Sequence, residues 1–232
     1  YALQISENTN NTYEDVIAKV EDEAYLDSLI SKYWFLTDEI KNNDIYVSLE
    51  GYLSPNTYEF VNKDVSVEEI FKVMLDQTEK ELNPYKDTIT NSKWTVHEYM
   101  TLASMLELEG TNTKNRKMIA GVFINRLNKG MNLGSDVTTY YAFQEEMKKD
   151  LTAKQFSTSN PYNTRASDMG GKLPVGPICN PSNDSIEASI NPTTNDYLFF
   201  VADKHGKIYY TKTEKEHTAK VAEIKEKGDW IW

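Results

Sequence analysis

A carboxylate on an otherwise apolar helical face has to be paired, protonated or put to use, because burying a lone charge is costly. Glu107 stands in such a place. Advancing roughly 100° per residue through 95–109, Val96, Tyr99, Met100, Leu102, Ala103 and Leu106 form one apolar arc. Glu107 projects inside it, flanked by Val96 and Met100, while Glu109 lies at its edge and Glu98 near it. Two chemistries fit Glu107. It is a helix-end glutamate paired with a lysine or arginine, or a carboxylic acid whose proton affinity is raised by an apolar wall.

Other reactive groups are quickly excluded. His97-Glu98 opens like the zinc motif H-E-x-x-H, but Thr101 takes the second histidine's place. The three histidines are scattered and read as solvated or capping groups. Cys179 sits in a proline-rich loop with no histidine near it in sequence, and one cysteine excludes an intrachain disulfide. No G-x-S-x-G, G-x-x-x-x-G-K or G-x-G-x-x-G is present. Carboxylate acid–base chemistry remains, with no metal and no cofactor expected.

Composition narrows the partners. Hydrophobic residues at 39% and charged residues at 26% describe a soluble globular protein. A formal charge of −11 argues against nucleic acid or an anionic membrane face as the main partner. Fifteen tyrosines and four tryptophans suit a carbohydrate or peptide groove, though most are expected to be core and interface filler. No apolar run approaches the ~20 residues that span a bilayer. The chain begins at Tyr1 rather than methionine and reads as trimmed, so a preceding signal or anchor stays an open expectation.

The elements that must position Glu107 follow from caps and periodicity. Thr95 and Glu98 form a capping box, and Gly110 is expected to end the helix in a left-handed conformation. A second helix buries Ile119, Val122, Phe123 and Leu127 and stops at Gly130. Upstream, residues 1–11 read as a frayed end, followed by short helices at Thr12–Val20 and Ala24–Leu36 and a strand at Ile45–Leu49. Ser66 with Glu69 opens a further helix that stops before Asn83-Pro84. Downstream come a short helix at Thr138–Met147, an aperiodic loop over 160–183 and a helix at Ser182–Ile190. Strands at 197–203 and 207–212 form a hairpin, and an amphipathic helix over Thr213–Lys227 closes the chain. The fold class is α+β, helix-rich with short strands and a C-terminal β-hairpin followed by a helix.

The segments LEGYLSPNTY (49–58), ASMLELEG (103–110), GVFINRL (121–127), PYNT (161–164), LPVGPICNP (173–181) and YLFFVAD (197–203) recur in one order. That series closely resembles the MltG/YceG-like endolytic murein transglycosylases over about residues 45–220. The resemblance implies that Glu107 is the catalytic residue. It implies cleavage of the MurNAc–GlcNAc β-1,4 bond by the C6 hydroxyl of N-acetylmuramic acid, leaving a 1,6-anhydro end. It also implies an N-terminal transmembrane anchor with the catalytic domain outside the cytoplasm, and partners among the cell-wall synthases of the elongation machinery. Residues 1–44 then read as the remnant of a LysM-like flank, and 45–232 as the catalytic domain. The sequence departs from the family pattern at Ser54, at Arg165 and at Lys172 with the extra residues around it.

Substrate-binding candidates are Glu50, Asn125, Arg126, Asp136, Tyr140, Tyr162 and Asn163. Arg126 either orients a carboxylate or the substrate's peptide, or snorkels over the core. Asp136, Tyr140, Tyr162 and Asn163 are expected to hydrogen-bond or stack on sugars. Glu50 is a second acid or one half of a structural ion pair. The rival functions are a glycan-binding module without activity and a scaffold of the elongation machinery.

Overall fold

In the computed structural model, which describes residues 1–230, the chain forms helices α1 (Ala2–Asn8), α2 (Tyr13–Val20), α3 (Glu23–Lys32), α4 (Val67–Leu82), α5 (Lys86–Thr90), α6 (Val96–Glu109), α7 (Thr113–Asn128), α8 (Asp136–Ala142), α9 (Ala153–Ser157) and α10 (Asn183–Ile190), then strands β1 (Phe199–Ala202) and β2 (Ile208–Thr211) and helix α11 (Glu214–Glu226). Among the described residues no helix is long and apolar enough to cross a membrane. The chain divides into two compact units, Tyr1–Ser104 with Val175–Ile186, and Met105–Pro174 with the segment from Glu187 onward.

In the first unit, Tyr33, Phe35, Ile40, Leu49, Tyr52, Phe71, Leu75 and Leu82 are buried core. Tyr52 stacks near Phe35, with ring centroids 6.2 Å apart, and near His97 at 6.1 Å. His97 is buried rather than solvated. Its Nε2 is 2.9 Å from the Val175 carbonyl, which can only accept, so Nε2 carries the proton. Nδ1 then accepts from the Tyr52 hydroxyl at 2.8 Å. Thr12 with Asp15 makes the capping box of α2, and Ser66 accepts the Glu69 N–H to start α4. Residues 1–44 belong to this unit, and their first stretch is helix α1 with Ile5 buried, not a frayed end.

The strand expected at Ile45–Leu49 is absent. The backbone turns there, with the N–H groups of Ile45, Glu50 and Tyr52 bonded three residues back. Leu49 is buried by a turn, which produces the same local alternation of apolar and polar residues as a strand.

In the second unit, Met105, Leu106, Ile119, Ala120, Val122 and Phe123 are buried, while Leu127 is only partly so. Gly121 lies in the middle of α7, where a Cβ would come within 2.3 Å of the Thr193 carbonyl oxygen. The missing side chain lets 193–195 lie directly on the helix. Phe200 of β1 meets Phe123 edge-on at 5.7 Å. The strands pair antiparallel from Phe199–Thr211 to Ala202–Ile208. Thr213 and Glu216 cap α11 reciprocally. The helix expected over Thr138–Met147 runs earlier and shorter, Asp136–Ala142.

The end of α7 behaves as its glycine suggests. Gly130 takes a φ of 66°, and the Met131 N–H returns to the Arg126 carbonyl. From there 131–169 makes an excursion that comes back at Gly171, whose N–H bonds to the Met131 carbonyl at 2.9 Å. Gly170 packs so closely that a Cβ would stand 2.8 Å from the Gly130 oxygen.

Candidate active site

The Thr95–Glu98 capping box starts α6 as expected, with bonds of 2.8 and 3.2 Å. Its other end carries Glu107 and Glu109. Gly110, immediately after, is not left-handed. It is required by space instead: a Cβ there would lie 2.4 Å from Cγ of Arg116. Asn112 accepts the Asn115 N–H to open α7, and Arg116 stands on its first turn. Across this turn the Arg116 Nη2 donates to the Glu107 Oε1 at 2.9 Å, with side chains 13% and 25% exposed respectively.

Glu107 is thus held by a guanidinium on one oxygen and remains a quarter exposed. A carboxyl so oriented can be presented to a substrate without searching its rotamers. Of the two readings of Glu107, the geometry shows the helix-end ion pair; the residue is a quarter exposed rather than enclosed in the apolar arc where projection put it. Arg116 was not among the sequence candidates. Its only signal was the separation of nine residues across a helix–turn–helix.

Glu109 differs from the expectation of a rim residue. Its Oε1 accepts a 2.5 Å hydrogen bond from the Ser135 hydroxyl. Burial pushes its carboxyl above the usual range; the Ser135 bond opposes this, Asp136 adds to it and Arg165 opposes it. Ser135 belongs to a buried hydroxyl cluster. Its N–H donates to Thr164 Oγ1 at 3.1 Å, and its carbonyl accepts from Thr138 Oγ1 at 2.7 Å. Because the one Thr138 proton is used there, Thr164 is the donor in the 2.8 Å contact between the two threonine hydroxyls.

Several predicted binding residues are structural. Tyr162 is fully buried, its ring 4.8 Å from that of Tyr141, and is no exposed sugar platform. Asn163 is equally buried. Its Oδ1 accepts from Thr139 and from the Arg165 N–H, and its Nδ2 donates to the carbonyls of Gln155 and Thr158. That exhausts its hydrogen-bonding capacity. Asn125 donates to the carbonyls of Asn195 and Tyr197 at 2.9 Å each, tying α7 to the lead-in of β1. Arg126 donates to the carbonyls of Leu198 and Leu133 and lies 5.0 Å over the Phe199 ring. Its hydrogen bonds tie α7 to the segments at Leu133 and Leu198 within the unit.

Asp136 and Arg165 form an exposed ion pair, with Arg165 also 5.0 Å over Phe156. Tyr140 donates its hydroxyl to the Lys149 carbonyl at 2.7 Å and is partly exposed. Of the candidates in 131–169, Asp136 and Tyr140 on α8 have surface to offer.

In the first unit, Glu50 opens a turn in which Gly51 has φ 89° and its hydrogen faces Pro177. Asn180 Oδ1 accepts the N–H groups of Gly51 and Leu53 at 2.9 and 3.0 Å, and its Nδ2 lies 3.4 Å from Glu50 Oε1. The segments 49–58 and 173–181 are therefore one structure here from Val175 on. Burial raises the Glu50 carboxyl, opposed by the amino terminus. Ser54 is buried too, donating to Glu81, so its departure from the family pattern is an internal bond. Lys172 donates to the Asp168 carbonyl at 3.0 Å. Among the described residues no group of three or more His, Cys, Asp and Glu side chains is gathered to hold a metal ion.

The YceG-like family model matches residues 2–223. The chain is 38% identical over 217 residues to the endolytic murein transglycosylase of Bacillus subtilis (strain 168), covering 93% of this chain and 59% of that protein. It is 39% identical over 220 residues to the endolytic murein transglycosylase of Streptococcus pneumoniae serotype 2 (strain D39 / NCTC 7466), covering 91% of this chain and 39% of that protein. The chain therefore spans 59% and 39% of the length of these relatives, less than two thirds of either. The 2.6 Å crystal structure of the YceG-like protein lmo1499 from Listeria monocytogenes superposes with a TM-score of 0.85 at 38% identity, covering 93% of this chain and 70% of that one. With the family model matching residues 2–223 and relatives 38% and 39% identical over nearly the whole chain, the chain belongs to the YceG-like family.

Proposed function

We propose that this chain is the catalytic part of an endolytic murein transglycosylase and that Glu107 is its single acid–base group. The observation that carries the reading is Glu107 itself, in the family's A-S-x-x-E segment, partly exposed and held by Arg116. Relatives 38% and 39% identical over nearly all of this chain bear that activity in their names.

The chemistry needs one carboxyl. Glu107 donates its proton to the glycosidic oxygen as the bond from the anomeric carbon of N-acetylmuramic acid breaks. The C6 hydroxyl of the same sugar bonds to that carbon and gives its proton to the Glu107 carboxylate. The acid is regenerated, no water is consumed, and the new end is 1,6-anhydromuramic acid. An intramolecular nucleophile has an effective molarity on the order of 10⁵ M or more, so no second carboxylate is needed to activate water. A hydrolytic glycosidase, by contrast, ordinarily requires a pair of carboxylates. The single-acid scheme is supported by Glu109 being engaged by Ser135.

The substrate is the glycan strand of peptidoglycan, cut internally. In this reading residues 1–44 are the flank of a LysM-like region and 45 onward the catalytic domain, although the compact units divide the chain elsewhere. The whole protein acts outside the cytoplasm on a membrane anchor, beside cell-wall synthases. Digestion of glycan strands in ¹⁸O-water tests the central claim. The new muramic terminus should carry no label, and mass spectrometry should find anhydromuramic ends. Label at that terminus would replace the scheme by water attack with a second carboxylate, Glu50 being the first to test.

A further inference from the structure

Two local rules are broken at one contact. Glu109 is the last residue of α6, where the negative end of the helix dipole disfavours a carboxylate. Ser135 occupies the N-cap of α8, where a serine hydroxyl ordinarily accepts a backbone N–H of the first turn, yet it makes no capping bond. Its hydroxyl is committed to Glu109 at 2.5 Å instead. Ser135 itself is fixed by Thr164 through its N–H and by Thr138 through its carbonyl. Departures from local preference that serve a single contact are characteristic of functional sites.

We propose that Glu109 is a positioning residue: through Ser135 it clamps the end of α6 onto the Thr138–Thr164 cluster and so fixes the aim of Glu107, two residues earlier. The inference rests on the transglycosylase reading of Glu107. Ser135 supplies a proton and needs only an acceptor, so the amide oxygen of a glutamine at 109 serves as well as a carboxylate.

The test is a mutant cycle read on glycan-strand cleavage. Glu109→Gln should keep kcat within about threefold of the wild type. Glu109→Ala and Ser135→Ala should each lower kcat roughly ten- to a hundredfold at nearly constant KM, as expected of sub-ångström to ångström misplacement. The double substitution should be no worse than the worse single one, because both remove the same contact. Losses that multiply, a raised KM at unchanged kcat, or full activity in Glu109→Ala would overturn the assignment. Ser135→Ala removes a hydroxyl only and carries the test if Glu109→Ala does not fold. Wild-type chain giving no anhydromuramic product would count against the transglycosylase reading instead. The contact is then judged by urea unfolding of the same four variants, where strictly additive effects of the two substitutions overturn it.

Discussion

Arg116 Nη2 lies 2.9 Å from Glu107 Oε1, across a turn in which Gly110 leaves no room for a methyl group beside the Arg116 stem. The glycine makes the approach, the approach makes the ion pair, and the ion pair sets the direction of the carboxyl.

Arg116→Ala should therefore lower kcat by about tenfold or more with KM little changed, and Arg116→Lys should recover part of the loss. A lysine offers a point charge without the planar fork that fixes a carboxylate. Steady-state kinetics on glycan strands decide this. Gly110→Ala should cost about 1–3 kcal/mol in urea unfolding through overpacking, not through torsion, since the backbone there is one any residue adopts.

Glu107→Gln should abolish formation of anhydromuramic ends while circular dichroism and the unfolding midpoint stay close to wild type. The residue is at a helix end and partly exposed, and its core neighbours are untouched. EDTA should leave the wild-type rate unchanged, because the proposed proton transfers run through the carboxyl alone. Residual product from Glu107→Gln at more than a few per cent would move the acid elsewhere.

Tyr162→Ala should destabilise the protein by about 3 kcal/mol or more, the usual cost of deleting a buried aromatic ring. A midpoint within 1 kcal/mol of wild type would contradict its burial against Tyr141. Asn163→Ala should behave likewise, because it strands the Thr139 hydroxyl and the carbonyls of Gln155 and Thr158.

Stability should respond to pH with two limbs of opposite sign. Glu109 and Glu50 have carboxyls raised above their ordinary 4.5 by burial. The unfolded chain releases those protons first, so their contribution is complete below 4.5 and is lost as pH rises through the raised values. Glu223, bonded to Lys220 and Lys227, is lowered to about 2, so its contribution is present above 4.5 and lost as pH falls toward about 2. Unfolding midpoints across pH should show the first slope shrink in Glu109→Gln/Glu50→Gln and the second shrink without vanishing in Glu223→Gln, since Glu68 and Asp76 among other carboxyls are lowered as well.

Much of this was legible in the sequence for physical reasons that can be named. Caps act within four residues, and those at Ser66 and Thr95 each started a helix as read. The buried face of α7 follows from helical spacing, and the hairpin from two β-branched and aromatic runs around a glycine. Contacts between distant segments were not legible. The loop around Tyr162 looks exposed because it is polar and aperiodic, yet Asn163 is buried with its amide bonded to the Gln155 carbonyl, and the Thr164 N–H donates to the Thr138 hydroxyl. Arg126 was read either as a substrate handle or as a side chain snorkelling over the core, because nothing in sequence announces the carbonyls of Leu198 and Leu133 around it. Glu107 was found by projection, but its partner depends on how α6 and α7 fold back on each other. Gly110 was expected for its torsion and is present for its smallness.

The excursion that leaves at Gly130 and returns at Gly171 has its two ends in hydrogen-bonded contact. A segment whose entrance and exit coincide can change length without moving the helix it departs from, and lengthening it costs only the slow logarithm of loop closure, about 0.6 kcal/mol per doubling. It carries Ser135, Asp136, Tyr140 and Arg165, so it behaves as an exchangeable cassette set against a constant helical frame. Redrafting the exposed parts of this stretch changes what surrounds it, while the buried Ser135–Thr138–Thr164 cluster keeps its hold on the end of α6.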